Sequence, residues 1–476
     1  MDIKGKKVLL VGLGTLGGGL ETAKWLLSRG AKLTVTDLRK KSELSASIKK
    51  LGKDAKKINW VLGKHRESDF KENEVVVLNA GVKILGNKFL KVAEKNGAKI
   101  VNDLTIFLEE LKNQLVAVTG TRGKTTTANW VAHFLSAKHG SVKASGNSSN
   151  DALLKLLARL GKYKKTPAVV ELSSFQLEVV GTAKKAPDVA ILTNLFKDHI
   201  NRHGTMKNYA LAKANIFLNQ KKNQKLVLNY DNKWTRFFLS KKPKAKTYFV
   251  SLKKLPSGKN GLCFDGEDFV FSEHGKKKKL FSGNAAKSVR VLGDHNIYNF
   301  LASALGAHLF GISWRDIESR IKTLPQIKYR EEPVLKKKNL LVINDTTATS
   351  PEGGIAAVRR FGRECTILIA GGTDKGLDYR EWAREVKKNI SPKNLLFLEG
   401  SATKKMVRDL KKIGFFKSSK SQEFKDLKDI LQKIREITKK GNHIVLFSPS
   451  AASFEKFRNE FDRGEKFNIL VKKLFK

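Results

Sequence analysis

The sequence predicts an α/β protein of three blocks, spanning residues 1–109, 110–325 and 326–476. Three observations carry that expectation. Short apolar runs of strand length recur along the chain, most of them break into glycine or small polar residues, and apolar positions at helical spacing follow several of the breaks. Strands that alternate with helices form parallel sheets, whose strand-end loops gather on one edge and face ligand there.

The first block opens with "KKVLLVGLGTLGGGLETAKWLLSRGAKLTVTDLRK" (6–40). A strand from Val8 to Val11 runs into Gly12, Gly14 and Gly17, a helix follows, and a second strand from Leu33 to Thr36 ends at Asp37. This is a Rossmann-like unit with an acidic residue at dinucleotide spacing, and taken alone it suggests an NAD-dependent dehydrogenase. The fingerprint itself says less. It lets a pyrophosphate approach a helix start, and a nucleotide sugar carries a pyrophosphate too; a glycine turn kept for tight helix–strand packing is the bland alternative. A further strand, Glu74 to Leu78, ends in "NAG" (79–81).

The second block holds "VAVTGTRGKTTT" (116–127), in which Val116 to Val118 enter a buried strand and the threonines open a helix with Trp130, Val131, Phe134 and Leu135 on its apolar side. Free backbone N–H groups and the positive end of the helix dipole attract phosphate, Lys124 adds a point charge, and the Thr125 hydroxyl is suited to magnesium. The loop is short: the position five residues before Gly123 is Val118, and Gly120 lies only three away. A glycine turn beside a surface lysine is the competing reading. The central domain is expected to be a parallel sheet of the phosphate-loop ATPase type. "AVVELSSFQLE" (168–178) delivers Glu171 and Ser173 at a strand end, and "ILTNLFKDHINRHG" (191–204) delivers Asp198 and His199, so that Thr125, Glu171 and His199 are placed to meet at one metal–phosphate site. In "NYALAKANIF" (208–217), Tyr209, Ala212, Ile216 and Phe217 put Lys213 within an apolar helical stripe, where a lysine commonly snorkels outward. "LGDHNIYNFLASALGA" (292–307) is a helix start that offers Asn296 and Asn299.

The third block repeats the alternation in "NLLVINDTTATS" (339–350), "CTILIAGGTDKGLDY" (365–379), "NLLFLEG" (394–400) and "HIVLFSPSAASFEKF" (443–457), and is expected to be Rossmann-like again. The formal charge of +48 points towards nucleic acid, yet the lysines are scattered, with short runs such as "GKKKKL" and no aromatic-interleaved stripe. A lysine-rich solvated surface without a nucleic-acid partner is expected, one that steers anionic small molecules inward. The two cysteines, Cys263 and Cys365, are too few for a disulfide framework. No unbroken apolar stretch reaches a membrane span and the N-terminus runs into a strand, so a cytoplasmic location is expected.

Nine boxes, "GTRGKTTT", "ELSSFQLE", "DHINRHG", "AKANIF", "LGDHNIYN", "YREE", "INDTTATS", "GGTDKGLD" and "SPSAASFEKFRNEFDRGEKF", stand in the order and approximate spacing of the Mur ligases, which the chain resembles over nearly its whole length. The resemblance implies ATP-dependent amide synthesis through an acyl phosphate, with ATP, UDP-N-acetylmuramoyl-L-alanine and D-glutamate as substrates, two magnesium ions and a monomeric enzyme of peptidoglycan synthesis. It implies Thr15, Leu16, Asp37, Arg39, Gly81, Asn147 and Ser173 as contacts to the UDP substrate. It places ATP on Gly120, Thr121, Gly123, Lys124, Thr125, Thr126, Asn296, Asn299, Arg330 and Asp345, and metal on Thr125, Glu171, His199 and a carbamylated Lys213. Lys124, His199 and Lys213 are the implied catalytic residues, and Thr349, Lys375, Ser453 and Phe454 the implied amino-acid contacts. The sequence departs from the family pattern at Thr347, where the box usually has lysine, at Glu460, which replaces an aromatic residue, at "NAG" in place of a Ser-Pro-Gly turn, and at Lys197 and Asn201 beside His199. A sister ligase for another amino acid or for muramyl-peptide recycling is the near alternative, and a dehydrogenase the remote one.

Overall fold

The computed structural model describes every residue except 16, 147–151, 162–164, 181, 182, 184, 282, 291, 417–419 and 476. Leu16 and Asn147, two of the implied substrate contacts, therefore lie outside the described residues. The chain divides into two compact units, Met1–Pro325 and Gln326–Lys476. Among the described residues the strands form three sheets, and parallel pairing dominates each, as the alternation of strands and helices predicts.

The first sheet contains β1 (Lys7–Val11), β2 (Lys32–Asp37), β3 (Asn59–Leu62), β4 (Val75–Leu78) and β5 (Lys99–Asn102) in the order β3-β2-β1-β4-β5. Every pair is parallel. β4 is buried at all four residues and β1 at four of its five, the pattern of strands covered on both faces. The chain runs from β1 to β2 and β3 on one side and then crosses back to β4 on the other side of β1, so a crevice opens at the carboxyl end of β1. Gly12, Gly14 and Gly17 turn the chain there with φ of 87°, 64° and 92°, and the helix Gly18–Ser28 starts directly behind them.

The central sheet contains β6 (Leu115–Thr119), β7 (Ala144–Ser145), β8 (Ala168–Glu171), β9 (Val189–Leu192), β10 (Lys225–Asn229), β11 (Lys246–Ser251), β12 (Gly261–Phe264), β13 (Phe269–Glu273) and β14 (Lys276–Leu280), in the order β14-β13-β12-β11-β10-β9-β6-β8-β7. Pairing is parallel from β7 to β12 and antiparallel at β12–β13–β14. β6 lies between β8 and β9 in a register that sets Val118 beside Glu171 and Thr119 beside Leu192. Three strand ends distant in sequence thus converge on one edge. One face of the sheet is covered by the helices Lys124–His139 and Asp294–Phe310, whose Phe134 and Phe300 rings meet edge to face at 6.2 Å. On the other face Ala117, Val170 and Leu192 join a continuous apolar cluster with Leu10 and Val35 of the first sheet, so two sheets share one core within this unit. Polar contacts seal the seam: Asn102 Nδ2 donates to Gln176 O at 2.7 Å and Gln176 Nε2 to Asp103 Oδ2 at 3.2 Å.

In the second unit β15 (Glu332–Lys337), β16 (Leu340–Asn344), β17 (Thr366–Ala370), β18 (Leu395–Leu398), β19 (Gln422–Phe424) and β20 (His443–Phe447) form a sheet of order β15-β16-β20-β17-β18-β19. Only the edge pair β15–β16 is antiparallel. Apolar clusters lie on both faces, one around Trp382, Phe397 and Met406 and one around Ile430, Phe447 and Phe467. Among the described residues no helix is long and apolar enough to cross a membrane. Cys263 is buried and Cys365 half-buried, both as free thiols.

Candidate active site

The shortened phosphate loop is held by residues far from it in sequence. Gly123 takes φ 82° and caps the sixteen-residue helix that begins at Lys124. Thr121 N donates to Asn194 O at 3.0 Å, Arg122 N to Asn194 Oδ1 at 2.9 Å, and Thr193 Oγ1 to Arg122 O at 2.6 Å. A Cβ at Gly120 would collide with the Thr193 hydroxyl, and one at Gly123 with the Asn299 side-chain oxygen. Asn299 in turn receives Thr127 Oγ1 at 3.4 Å and donates to Asn296 Oδ1 at 3.1 Å. The structure therefore brings Asn296 and Asn299 against the loop that holds Gly120, Thr121, Gly123 and Lys124. Gly123→Ala is expected to lower stability by about 2 kcal/mol or more, because alanine is strained at positive φ and its methyl group meets Asn299. A melting temperature equal to that of the unsubstituted protein would contradict this packing.

Lys124 Nζ donates to Gly120 O at 3.2 Å and to Thr121 O at 3.3 Å, curling over its own loop. Lys213 does not snorkel. It is 1% exposed, at the end of the helix Met206–Ala214, and its Nζ donates to the same Gly120 O at 2.8 Å and lies 4.9 Å from the Tyr209 ring centre. Burial drives its pKa well below the ordinary lysine value and nearby Lys124 drives it further, against the pull of Asp198. Tyr209 OH reaches Thr121 Oγ1 at 3.1 Å, which ties this helix to the phosphate loop. Glu171 ends β8 beside Val118, and its Oε2 is buried with no hydrogen-bond partner. An orphaned carboxylate oxygen at this edge is a donor that suits a hard cation. His199 stands in the left-handed region at φ 54° and caps the short helix Ile200–His203, with its ring edge-on to Phe175 at 4.9 Å. Its backbone N donates to Asp198 Oδ1 at 2.9 Å, and its Nε2 lies 3.7 Å from Asp198 Oδ2. Among the described residues no cluster of three or more His, Cys, Asp or Glu side chains forms a metal site. Thr125 and Thr126 lie in the first turn of the helix that follows the loop, Thr126 buried. Ser173 caps the helix Ser174–Leu177; its hydroxyl donates to Gln176 Oε1 at 3.0 Å and accepts from Gln176 N at 3.2 Å.

At the carboxyl edge of the first sheet, the buried Asp37 carboxylate accepts Gly14 N at 3.1 Å and Arg39 N at 2.9 Å, so it shapes the glycine turn. Thr15 and Gly81 are exposed at the same edge, and Gly81 N donates to Asn79 Oδ1 at 3.1 Å. Asn79, from the departing "NAG" turn, stands 3.2 Å from where a Cβ of Gly12 would be, which joins the two strand-end turns.

In the second unit Asp345 leaves β16 buried; its Oδ1 accepts Glu331 N at 3.2 Å and its Oδ2 accepts Ser448 Oγ at 2.8 Å. Arg330 is half-buried two residues before β15. Ser453 Oγ is buried with no hydrogen-bond partner, whereas Lys375 and Phe454 are exposed and Thr349 is half-buried. The departure at Thr347 is satisfied locally, its hydroxyl donating to Tyr329 O at 2.8 Å. Glu460 begins the helix Glu460–Leu474.

Two residues escaped the sequence reading. Arg463 is fully buried and donates to Thr346 Oγ1 (2.9 Å), Thr346 O (2.8 Å), Ala451 O (3.1 Å) and Ala452 O (3.1 Å), clamping the 345–347 turn to the turn before Ser453. Burial lowers its pKa to about 10, with Glu460 and Asp345 opposing that shift. Arg122 pairs with Asp198 at 3.4 Å. Both lie inside quoted boxes, but an arginine in a polar stretch looks like any surface charge until its partners are known.

Residues 6–102 match the family described as Mur ligase MurD-like, N-terminal domain, and residues 118–307 match the Mur ligase middle domain. The chain is similar to the UDP-N-acetylmuramoylalanine–D-glutamate ligase of Roseiflexus sp. (strain RS-1), with 35% identity over 475 residues and 99% of each chain covered. Similarity to the ligase of the same name in Clostridioides difficile (strain 630) is 32% over 475 residues, covering 100% of each chain. In fold the chain is similar to the UDP-N-acetylmuramate-alanine ligase of Thermotoga maritima, with a TM-score of 0.56 at 19% identity and coverage of 98% of this chain and 99% of that one. Two family domains in sequence order, together with full-length relatives above 30% identity, show that the chain belongs to the Mur ligase family.

Proposed function

We propose that the chain is an ATP-dependent ligase that joins D-glutamate to UDP-N-acetylmuramoyl-L-alanine in peptidoglycan precursor synthesis, as the names of its full-length relatives suggest. The geometric observation that carries the ATP site is the loop itself, with Gly123 at φ 82° opening the helix at Lys124 and Lys124 Nζ curled over Gly120 O and Thr121 O. In the reaction a carboxylate oxygen of the alanyl group attacks the γ-phosphorus, and ADP departs with the electrons of the bond to the bridging oxygen. The amine of D-glutamate adds to the acyl phosphate and loses a proton, and the intermediate expels phosphate to leave the amide.

Lys124 and the N–H groups of the loop bind the triphosphate, with Thr126, Asn296, Asn299, Arg330 and Asp345 as further nucleotide contacts. Magnesium would be held by Thr125, Glu171, His199 and a Lys213 carbamate, and it supplies neutralisation of phosphate charge. The partnerless Glu171 Oε2 supports this set. Thr15, Asp37, Arg39, Gly81 and Ser173 serve the UDP substrate, and Thr349, Lys375, Ser453 and Phe454 the amino acid. Domains over 1–109, 110–325 and 326–476 carry the UDP substrate, ATP and the amino acid respectively, in a monomeric cytoplasmic enzyme.

Phosphate release with ATP, UDP-N-acetylmuramoyl-L-alanine and a panel of D- and L-amino acids tests the reading, with D-glutamate expected to give the highest kcat/KM. A dicarboxylate needs a cation and well-placed donors to offset its lost hydration, and Lys375 with the unsatisfied Ser453 hydroxyl supplies them. Lys375→Ala is expected to raise KM for D-glutamate by roughly 10- to 100-fold while KM for ATP holds. If L-glutamate or a neutral amino acid wins the panel, a sister ligase takes the place of this specificity; Thr347, a neutral residue at a position where the family usually has lysine, is the feature that favours that outcome.

A further inference from the structure

The phosphate loop carries an arginine that the reading above leaves unused. Arg122 sits between Gly120 and Lys124, and its backbone is fixed on both sides: N donates to Asn194 Oδ1 at 2.9 Å, and O accepts from Thr193 Oγ1 at 2.6 Å and Asn194 Nδ2 at 3.2 Å. Only the side chain has freedom. It is 27% exposed, and Nη2 meets Asp198 Oδ2 at 3.4 Å, a long contact for a charge-assisted pair. A guanidinium carries five donors in a planar fork that matches phosphate oxygens two at a time, so most of that capacity is unspent on Asp198. Asp198 is the carboxylate that meets the guanidinium, and it is itself buried. Lys124 and Arg122 leave the same loop as two cations, and the Asp198 carboxylate holds the guanidinium at 3.4 Å as a phosphate oxygen would.

We infer that Arg122 is a catalytic residue of phosphoryl transfer: when a nucleoside triphosphate binds, its guanidinium leaves Asp198 for the γ-phosphate and stabilises the charge that develops there. That charge grows on the phosphoryl oxygens as the substrate carboxylate oxygen bonds to phosphorus and the bridging oxygen departs on ADP with the bonding electrons. Because the arginine lies on the loop itself, with its backbone already clamped by β9's strand-end residues Thr193 and Asn194, the residue is preorganised and only side-chain torsions change. The inference rests on the nucleotide site proposed above and is independent of the amino-acid specificity.

Calorimetry of ATP and of ADP binding to the full chain, with its magnesium, is the test, in the unsubstituted protein and in Arg122→Asn and Arg122→Lys, alongside melting temperature and phosphate release. Arg122→Asn is expected to weaken ATP about 10-fold more than ADP and to lower kcat on the order of 100-fold at an unchanged melting temperature. Arg122→Lys should recover part of the ATP affinity and little of kcat, since an ammonium cannot grip two oxygens at once. An ATP-to-ADP affinity ratio that does not move in Arg122→Asn overturns the inference. So does equal weakening of both nucleotides with full recovery in Arg122→Lys, which would reduce Arg122 to a brace for Asp198. A protein that joins no amino acid yet shows the Arg122-dependent ratio would sink the ligase reading and leave this inference standing; one that ligates with a fixed ratio does the reverse.

Discussion

Lys124→Ala should abolish measurable acyl-phosphate formation while the protein stays folded. The hydrogen bonds of Lys124 Nζ to the loop carbonyls of Gly120 and Thr121, at 3.2 and 3.3 Å, are long ones whose loss costs the fold little. The reaction has much to lose. A cation aimed at the β- and γ-phosphates is worth about 3–4 kcal/mol where charge moves onto the leaving oxygen, or roughly two to three orders of magnitude in rate. Isotope exchange between labelled ADP and ATP in the presence of the UDP substrate reads this step apart from amide formation, and circular dichroism reports the fold. Near-normal exchange in a folded Lys124→Ala protein would remove the ATP site from this loop.

Lys213→Ala is expected to be as damaging, for a different reason. A lysine that is 1% exposed and hydrogen-bonded to Gly120 O is an amine that burial, and the nearby Lys124, drive towards neutrality. A neutral amine is the form that adds carbon dioxide, giving a carbamate and a proton, and the product is an oxygen donor where Glu171 Oε2 lacks a partner. Short carboxylates should restore part of the activity of Lys213→Ala, and bicarbonate-rich buffer should raise that of the unsubstituted protein; density for an unmodified amine in an ATP complex would exclude the carbamate. The same burial has a consequence for the unmodified fold. The folded-state pKa lies below the ordinary value near 10.5, so between the two the unfolded chain binds more protons, and stability climbs as pH rises through that window. Lys213→Met should flatten this dependence and raise the melting temperature at neutral pH while eliminating turnover. A melting temperature that falls in Lys213→Met would count against the cost assigned to the buried amine.

What the sequence by itself determined was local: strands that run apolar for four to six residues, glycines where φ must be positive, and a helix that starts at the lysine after Gly123. Those features depend on neighbours in the chain, and "VAVTGTRGKTTT" carries them whatever surrounds it. The apolar stripe at 208–217 likewise located Lys213 on an inward face, although not whether its amine would escape to solvent. The tertiary structure decided that, because the helix end packs against the phosphate loop, where Gly120 O accepts from the amine at 2.8 Å and the Tyr209 ring centre lies 4.9 Å from it. It also decided which residues wall the loop. Thr193 and Asn194 reach it through parallel pairing of β6 with β9, and Asn299 reaches it through the packing of two helices whose first turns lie 170 residues apart in sequence (124 against 294), so no local pattern announces them. Arg463 shows the same limit from the side of charge: a polar segment looks alike whether its arginine faces water or is enclosed by carbonyls, and the difference is made by burial, which strengthens each of those contacts and belongs to the assembled fold alone.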